Sequence, residues 1–224
     1  MRRTIFLSFF SSLLAWCSVL PANAQTLAAE VLLREAAGKG EIPLIRRLLE
    51  EGVRPDATEP SGATALIAAA YRNQTEAARA LIEAGADVNR QDSSGQSAFL
   101  IAVSNANIDL VKLALRRGAN LDSRDGGNAS ALIRAARHGH GAVILELLRG
   151  GAELNQVTRA GRTALIETIV MGDGEKRHAD TVRFLVKAGA DLSIRDHAGL
   201  SALQHALQRE FREIAAILIN AGGR

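Results

Sequence analysis

Apolar and polar positions follow a pattern along this chain that repeats every 33 residues. Each period has a hydroxyl residue, then alanine and mostly apolar residues, then a polar turn and a second apolar stripe. The first such block is Thr64-Ala-Leu-Ile, and its counterparts begin at Ser97, Ser130, Thr163 and, after five extra residues, Ser201. Because both stripes have helical spacing, the pattern predicts two helices per period.

Glycines form a second series with the same interval, at positions 52, 85, 118 and 151, then 189 and 222. Glycine after a helix adopts a left-handed conformation without a side-chain penalty, so these positions predict where each helix pair ends. The hydroxyl of Thr64 predicts an N-cap for a helix over 65–72, and the second helix is expected from about Thr75 to Ala84. The predicted core stripes of the second helices are Ala77, Ala78, Leu81 and Ile82, then Leu110, Val111 and Leu113, then Val143, Ile144 and Leu147, then Val182, Phe184 and Leu185.

A helical period of this length predicts a stack of repeats with an extended concave surface. On these blocks, and on segments such as Gly85-Ala-Asp-Val-Asn89, residues 28–224 resemble the ankyrin repeat proteins. The resemblance implies an all-α solenoid of about six helix-turn-helix units with short β-hairpin-like loops. The expected repeats are 28–60, 61–93, 94–126, 127–159, 160–197 and 198–224.

The chain departs from the ankyrin pattern at two positions of the block. The family's proline after the N-cap is alanine, as at Ala65, and its histidine is apolar in most units, as at Ile67. We therefore expect apolar packing to replace the hydrogen bonds that this histidine makes between adjacent loops. In the first unit Val31 stands at the N-cap position, so its helix is expected to begin upstream, near Thr26, and to cap the stack.

Residues 1–24 have the pattern of a secretory signal peptide. They combine a basic start, an apolar stretch from Ile5 to Leu20 and a small-residue cleavage signal, which predicts cleavage between Ala24 and Gln25. An uncleaved segment that tethers the protein to a membrane is the alternative, but the apolar stretch is shorter than the roughly 20 residues that a bilayer requires. We expect a periplasmic or secreted protein without stable membrane insertion.

Removal of this segment changes the composition of the chain. The only cysteine and the only tryptophan are Cys17 and Trp16, so the mature chain lacks thiols and disulfides. Loss of Arg2 and Arg3 takes the formal charge from +3 to about +1. This near-neutral charge and the expected export argue against nucleic acid as a partner.

Catalytic and metal-binding patterns are weak in this sequence. No two of the five histidines have the i, i+4 spacing that places two imidazoles on one helical face. No phosphate-binding loop or nucleophile motif is present. We expect a non-catalytic protein without a cofactor, and a metal-dependent enzyme that uses His138 and His140 is the alternative.

The resemblance to ankyrins implies that a protein partner binds to the concave face and the loop tips. The expected binding residues are Lys39, Tyr71, Arg72, Ser104, Asn105, Arg134, Arg137, His138, Met171 and Arg209, and His205 is a further candidate. Because most of the charged residues among them are basic, we expect an acidic partner surface and an association that weakens as the salt concentration rises. We also expect this protein to be a monomer when no partner is bound. Similarity to bacterial periplasmic ankyrins implies stabilisation or inhibition of an envelope protein. The five extra residues between Met171 and His178 are expected to form a polar, mobile loop that either enlarges the binding surface or is a tolerated insertion.

Overall fold

The computed structural model describes residues 22–223, which form twelve helices arranged in six consecutive pairs. We number them α1 to α12. The first helices of the pairs make an inner row that consists of α1 (Ala22–Lys39), α3 (Ala65–Tyr71), α5 (Ala98–Ser104), α7 (Ala131–Arg137), α9 (Ala164–Met171) and α11 (Ala202–Gln208). The second helices make an outer row that consists of α2 (Ile42–Glu50), α4 (Thr75–Glu83), α6 (Ile108–Arg116), α8 (Gly141–Arg149), α10 (Lys176–Lys187) and α12 (Arg212–Asn220).

Each helix contacts the corresponding helix of the next pair, and the inner row is packed more tightly than the outer row. Small residues on the inner helices, such as Ala69 and Ala70 of α3, are buried and allow this close approach. Closer spacing on one side curves a stack, so the inner row forms the concave side. One continuous apolar core runs between the two rows, with Phe99 among its largest fully buried side chains. The predicted solenoid is confirmed.

Hydroxyl side chains cap the inner helices as predicted, with one exception. Thr64, Ser97, Thr163 and Ser201 each accept a hydrogen bond from the backbone N–H three residues later, at 3.1 to 3.3 Å. Ser130 occupies the same N-cap position, but its side chain makes no such bond. These hydroxyls are buried, so each bond satisfies a backbone donor that water does not reach.

The turn positions adopt the backbone conformations that the glycine series predicts. The glycines that follow the outer helices, such as Gly85 with φ of 93°, lie in the left-handed region. Asn128 takes the place of glycine in the turn before α7 and has φ of 64°. Asparagine tolerates this region better than most residues because its short side chain bonds locally.

Adjacent loops are joined by hydrogen bonds, and the expectation that apolar packing replaces them is wrong. The backbone N–H of Ser93 donates to the carbonyl of Ser61 at 2.7 Å. The side chain of Gln91 donates to the carbonyl of Arg124 at 2.9 Å. Other residues of the loop therefore supply the bonds that the family's histidine makes elsewhere. The loops themselves contain isolated antiparallel bridges, such as that between Gln91 and Ser97.

The N-terminal helix α1 is longer than the sequence pattern predicts. It begins at Ala22, before both Thr26 and the predicted cleavage point between Ala24 and Gln25. Most of the predicted signal peptide, residues 1–21, lies outside the described residues. Among residues 22–223, no helix is both long enough and apolar enough to cross a membrane.

The five extra residues of the fifth pair do not form a loop, which corrects the prediction for this segment. Helix α9 is one residue longer than most inner helices, the turn over 172–175 is one residue longer than the other turns, and α10 has twelve residues where α4 has nine. His178, expected at the end of a mobile loop, is 2% exposed on α10. Most of the insertion thus adds one helical turn.

Phe184, which the apolar stripe placed in the core of α10, is 37% exposed. Val182 and Leu185, three positions apart, are fully buried and define the face that packs inward. Residue 184 is rotated away from this face because a helix turns by about 100° per residue. Its ring lies over Gly141 of the preceding outer helix, where a Cβ atom would come within 3.1 Å of the ring.

Candidate binding surface

The concave side of the stack carries two open clefts. The first, which we call the tyrosine cleft, has a volume of about 630 Å³ and is lined by Arg34, Gly38, Glu59, Ser61, Ala63, Ile67, Ala68, Tyr71, Arg72 and Asp92. The second, which we call the histidine cleft, has a volume of about 390 Å³ and is lined by Ser104, Arg137, His138, His140, Met171, Gly172, Asp173, Arg177 and His178. Six of the ten predicted binding residues lie in these two clefts.

The tyrosine cleft exists because small residues occupy its floor. Gly38 of α1 and Ala68 of α3 leave space between the two helices, and Tyr71 forms a wall with 53% of its surface exposed. An ion pair between Arg34 and Glu59, at 3.3 Å, lies at the edge of this space. An exposed aromatic side chain beside a charged rim is typical of protein-binding hot spots.

The histidine cleft lies between the end of α7, the turn that follows it and the five-residue insertion. The rings of His138 and His140 are stacked, with their centroids 5.4 Å apart. The Nε2 atom of His140 donates to the carbonyl oxygen of Ser104 at 2.9 Å, which fixes the orientation of this ring. The ring of His138 has no hydrogen-bond partner within residues 22–223, so its nitrogen atoms face the cleft or solvent.

The insertion supplies the opposite wall through a buried histidine. The Nδ1 atom of His178 lies 2.6 Å from a carboxylate oxygen of Asp173, and its Nε2 atom lies 3.2 Å from the carbonyl oxygen of Arg137. Arg177 donates to the other oxygen of Asp173 at 3.1 Å. The hydrogen bond from His178, followed by that from the backbone N–H of Glu175, lowers the pKa of Asp173 from 3.8 to about 2.

Three of the five predicted cationic residues already have carboxylate partners. Arg134 donates to Asp125 at 2.7 Å and to the hydroxyl of Ser104. Its side chain is 12% exposed, and burial lowers its pKa despite the nearby Asp125.

Arg137 donates to Glu167 at 3.4 Å, and Lys39 lies 3.6 Å from Glu35. The concave face is therefore less basic than its arginine and lysine residues indicate.

Arg72 and Arg209 have no carboxylate within 4 Å in the part of the chain that the structure describes. Arg209 donates to the carbonyl of Gly172 at 3.0 Å and lies over the ring of Phe211 at 4.9 Å. Asn105 donates to the carbonyl of Ala70 at 3.2 Å, so it links two inner helices. Among the predicted residues, Lys39, Asn105, Arg134 and Arg209 lie outside the two clefts.

The positions of the histidines can be compared with the alternative in which His138 and His140 bind a metal ion. No group of three histidine, cysteine, aspartate or glutamate side chains within residues 22–223 is arranged to hold a metal ion. One nitrogen of His140 is occupied by the Ser104 carbonyl. His205, proposed as a concave binding residue, is buried and lies 2.8 Å from Asp196. This bond orients the His205 ring, and because His205 is buried it does not lie on the accessible concave surface.

The sequence and the fold match a known family over most of the chain. A family model described as ankyrin repeats (3 copies) matches residues 33–125 and 132–224. The chain belongs to the ankyrin repeat family. Ankyrin repeats generally mediate protein–protein interactions, and the fold is typically a scaffold without enzymatic activity.

Solved ankyrin structures resemble this protein along nearly their whole length. An ankyrin repeat domain from Acinetobacter baumannii AYE is 38% identical, with a TM-score of 0.83 over 87% of this chain and 100% of that one. The ankyrin repeat protein EF0377 is 33% identical, with a TM-score of 0.79 over 84% and 96% of the two chains. The human ASB11 ankyrin repeat domain, at 22% identity and a TM-score of 0.75 over 86% and 84%, shows the fold alone. The search of curated proteins finds no match.

The sequence pattern missed several residues that shape the histidine cleft of this ankyrin protein. Glu167, Asp173 and Arg177 were not singled out, although the insertion that contains the last two was noted. A signal for Glu167 does exist. It lies 30 residues after Arg137, and Arg134 lies 30 residues after Ser104, so side chains one repeat apart pair at this spacing. A search for opposite charges at this interval would find the pair.

Proposed function

We propose that this ankyrin protein is a non-catalytic scaffold of a bacterial envelope that binds a partner protein and thereby stabilises or inhibits it. The observation that carries the proposal is the pair of open clefts on the concave side. They gather Tyr71, Arg72, Arg137, His138 and Met171 on one face of the stack. Convergent aromatic, cationic and apolar side chains around open space are what a protein interface requires.

The accessible groups within the clefts support a protein surface as the ligand. Tyr71 and Met171 are 53% and 54% exposed, so each offers an apolar anchor. The clefts are open and shallow, and this suits protruding side chains of a folded partner better than an enclosed small molecule. Arg72 and Arg209 have no carboxylate partner among the described residues, so the proposal includes an acidic partner surface, although Lys39, Arg134 and Arg137 are paired.

The envelope location is proposed from the N-terminal pattern. Residues 1–24 carry the basic start, the apolar stretch and the small-residue cleavage signal of an exported protein. Cleavage between Ala24 and Gln25 would leave α1 from Gln25 onwards. The similarity to a domain from Acinetobacter baumannii AYE supports a bacterial source.

Site-directed photo-crosslinking in cells tests the binding surface. A photoreactive amino acid is placed at Tyr71 or at Met171, and as a matched control at Leu145, which is 38% exposed on the outer helix α8. We expect a crosslinked partner from the two concave positions and none from the control. Crosslinks from Leu145 alone, or from none of the three positions, would contradict the proposed surface.

N-terminal sequencing of the protein recovered from the periplasmic fraction tests the location. A first residue at Gln25 supports export with cleavage. Recovery of the intact N-terminus in the membrane fraction would instead favour the tethered form, and recovery in the cytoplasmic fraction would contradict both.

A further inference from the structure

The histidine cleft owes one of its walls to the five extra residues of the fifth repeat. Without them, the turn after α9 would have three residues and α10 would start one turn later, as in the neighbouring repeats. Asp173, Arg177 and His178 would then be absent from the cleft. The insertion therefore adds a second polar wall opposite the end of α7.

Two glycines allow the inserted wall to pack closely. A Cβ atom at Gly172 would collide with the carbonyl oxygen of Thr168 and would lie 2.8 Å from the ring of His178. A Cβ atom at Gly139, which has φ of 70°, would lie 2.8 Å from the side chain of Arg177. The insertion is thus fitted to the preceding repeat, which a loosely tolerated insertion does not require.

His178 holds this wall in place through both of its ring nitrogens. Each faces an acceptor, the carboxylate of Asp173 on one side and the carbonyl of Arg137 on the other. The backbone N–H of Asp173 also lies 3.4 Å from the Nδ1 atom. These contacts fix the position of the His178 ring directly behind the cleft.

Several hydrogen-bond donors of the cleft have unused capacity. Arg137 makes one long bond to Glu167, and its buried Nε atom has no partner in residues 22–223. Among residues 22–223, the side chain of Arg177 bonds to Asp173 alone, and it is 62% exposed. A planar guanidinium has five N–H donors. Because the Nε atom of Arg137 is buried, the terminal amino groups of the two arginines are the donors that an incoming oxygen atom can reach.

The formal charges around the cleft balance, because Arg134, Arg137 and Arg177 are each bonded to one carboxylate. Burial, and then the nearby His140, Arg137, Arg134 and Arg177, lower the pKa of His138. The carboxylates nearby are Asp125, Glu167 and Asp173, and each is already bonded to a cation. An anion that enters from outside is therefore held by the free N–H donors of the arginines and not by an excess of positive charge.

We propose that the histidine cleft receives the carboxylate of an aspartate or glutamate side chain of the partner protein, held by Arg137 and Arg177 beside His138. This inference rests on the proposed protein-binding function and specifies the chemistry of one contact. The exposed Met171 at the rim favours a side chain with an aliphatic stem over a small inorganic anion, because the stem packs against the thioether while the carboxylate reaches the arginines.

NMR titration of the full chain with isotope-labelled histidine tests the proposal. The probe is the peptide acetyl-Ala-Ala-Glu-Ala-Ala-amide, the matched control is the same peptide with glutamine, and inorganic phosphate is a third arm. We expect the glutamate peptide to shift the His138 ring signals and to raise the pH midpoint of their titration, because a bound anion stabilises the imidazolium. The glutamine peptide leaves them unchanged, and phosphate binds more weakly than the glutamate peptide.

Two variants and one control localise the effect. Arg177→Gln changes an exposed residue, and the double variant Arg137→Gln with Glu167→Gln removes a buried pair without leaving a lone charge. Each lowers the affinity for the glutamate peptide by about tenfold or more, since a charge-assisted hydrogen bond is lost. Arg149→Gln removes an equally exposed cation from the outer helix α8 and leaves the affinity unchanged. Far-UV circular dichroism confirms folding, and Arg177→Gln alone carries the test if the double variant does not fold.

Three results would overturn the inference. They are an equal response to the glutamine peptide, unchanged affinity in Arg177→Gln, and tighter binding of phosphate than of the glutamate peptide. The crosslinking at Tyr71 and Met171 separates this outcome from failure of the proposed function. If those crosslinks persist while the peptide fails, the scaffold still binds a protein, but this cleft does not take a carboxylate.

Discussion

The ion pair between Arg137 and Glu167 allows a sharp prediction, because its two side chains differ in burial. The carboxylate of Glu167 is 5% exposed, whereas the side chain of Arg137 is 30% exposed. Arg137→Gln leaves the carboxylate buried without a cation, and removal of one partner of a buried pair costs about 3 to 5 kcal/mol. We expect about 3 kcal/mol, the lower end, because Arg137 is partly solvated and its bond is long. Glu167→Gln leaves Arg137 in contact with water and should cost about 1 kcal/mol or less.

Urea denaturation followed by far-UV circular dichroism measures this asymmetry. With a slope of about 2 kcal/mol per molar urea, the midpoint of Arg137→Gln falls by about 1.5 M. The double variant Arg137→Gln with Glu167→Gln should recover most of the loss, because no lone charge remains. Arg149→Gln, on the exposed surface of α8, should change the free energy of unfolding by less than about 0.5 kcal/mol. Equal losses for the two single variants, or no recovery in the double variant, would refute the reasoning.

Three further predictions concern local structure. Ser97→Ala should lower the free energy of unfolding by about 1 kcal/mol, and Ser130→Ala should lower it by clearly less, because Ser97 makes a cap hydrogen bond and Ser130 does not. Comparison of the urea midpoints of the two variants measures this difference, and equal losses would contradict the prediction. Gly172→Ala should cost about 1 to 3 kcal/mol in the same assay, since the methyl group collides with a backbone carbonyl; an unchanged midpoint would show that the turn relaxes freely. The pKa of Asp173 is about 2 in the folded state, below its ordinary 3.8, so its bond to His178 stabilises the fold above about pH 4 and this contribution is lost as the pH falls towards 2. The difference in free energy of unfolding between the unsubstituted protein and His178→Gln should therefore shrink from about pH 4 to about pH 2, as measured by urea titrations at stepped pH. A difference that stays constant would contradict this prediction.

The repeat architecture was predictable from the sequence because its determinants are local. The hydroxyl at Ser97 and the glycine at Gly85 act on backbone groups within a few residues of themselves. The apolar stripes need only helical geometry to form a face. Sequence reasoning therefore placed both helices of the second repeat, α3 and α4, to within one residue, and its expectation that Tyr71 and Arg72 are accessible agrees with their exposure.

The sequence was a poor guide where side chains of different repeats meet. Arg134 was expected to be free for a partner, but Asp125 and Ser104 bind it. The insertion was expected to be a mobile loop, but burial of His178 against the preceding repeat turns most of it into helix. Both outcomes depend on contacts with side chains or carbonyl groups beyond the local helix.

By itself, the sequence determined the period, the helix boundaries of the regular repeats and the positive-φ glycine turns, but not the start of α1 or the helical form of the insertion. The tertiary structure decided which of the concave charges remain available and brought Arg137 opposite Arg177, two residues that are far apart in the chain, across one cleft. The physical reason is that backbone conformation responds to nearby residues, whereas charge pairing depends on distances that only the stacked repeats define.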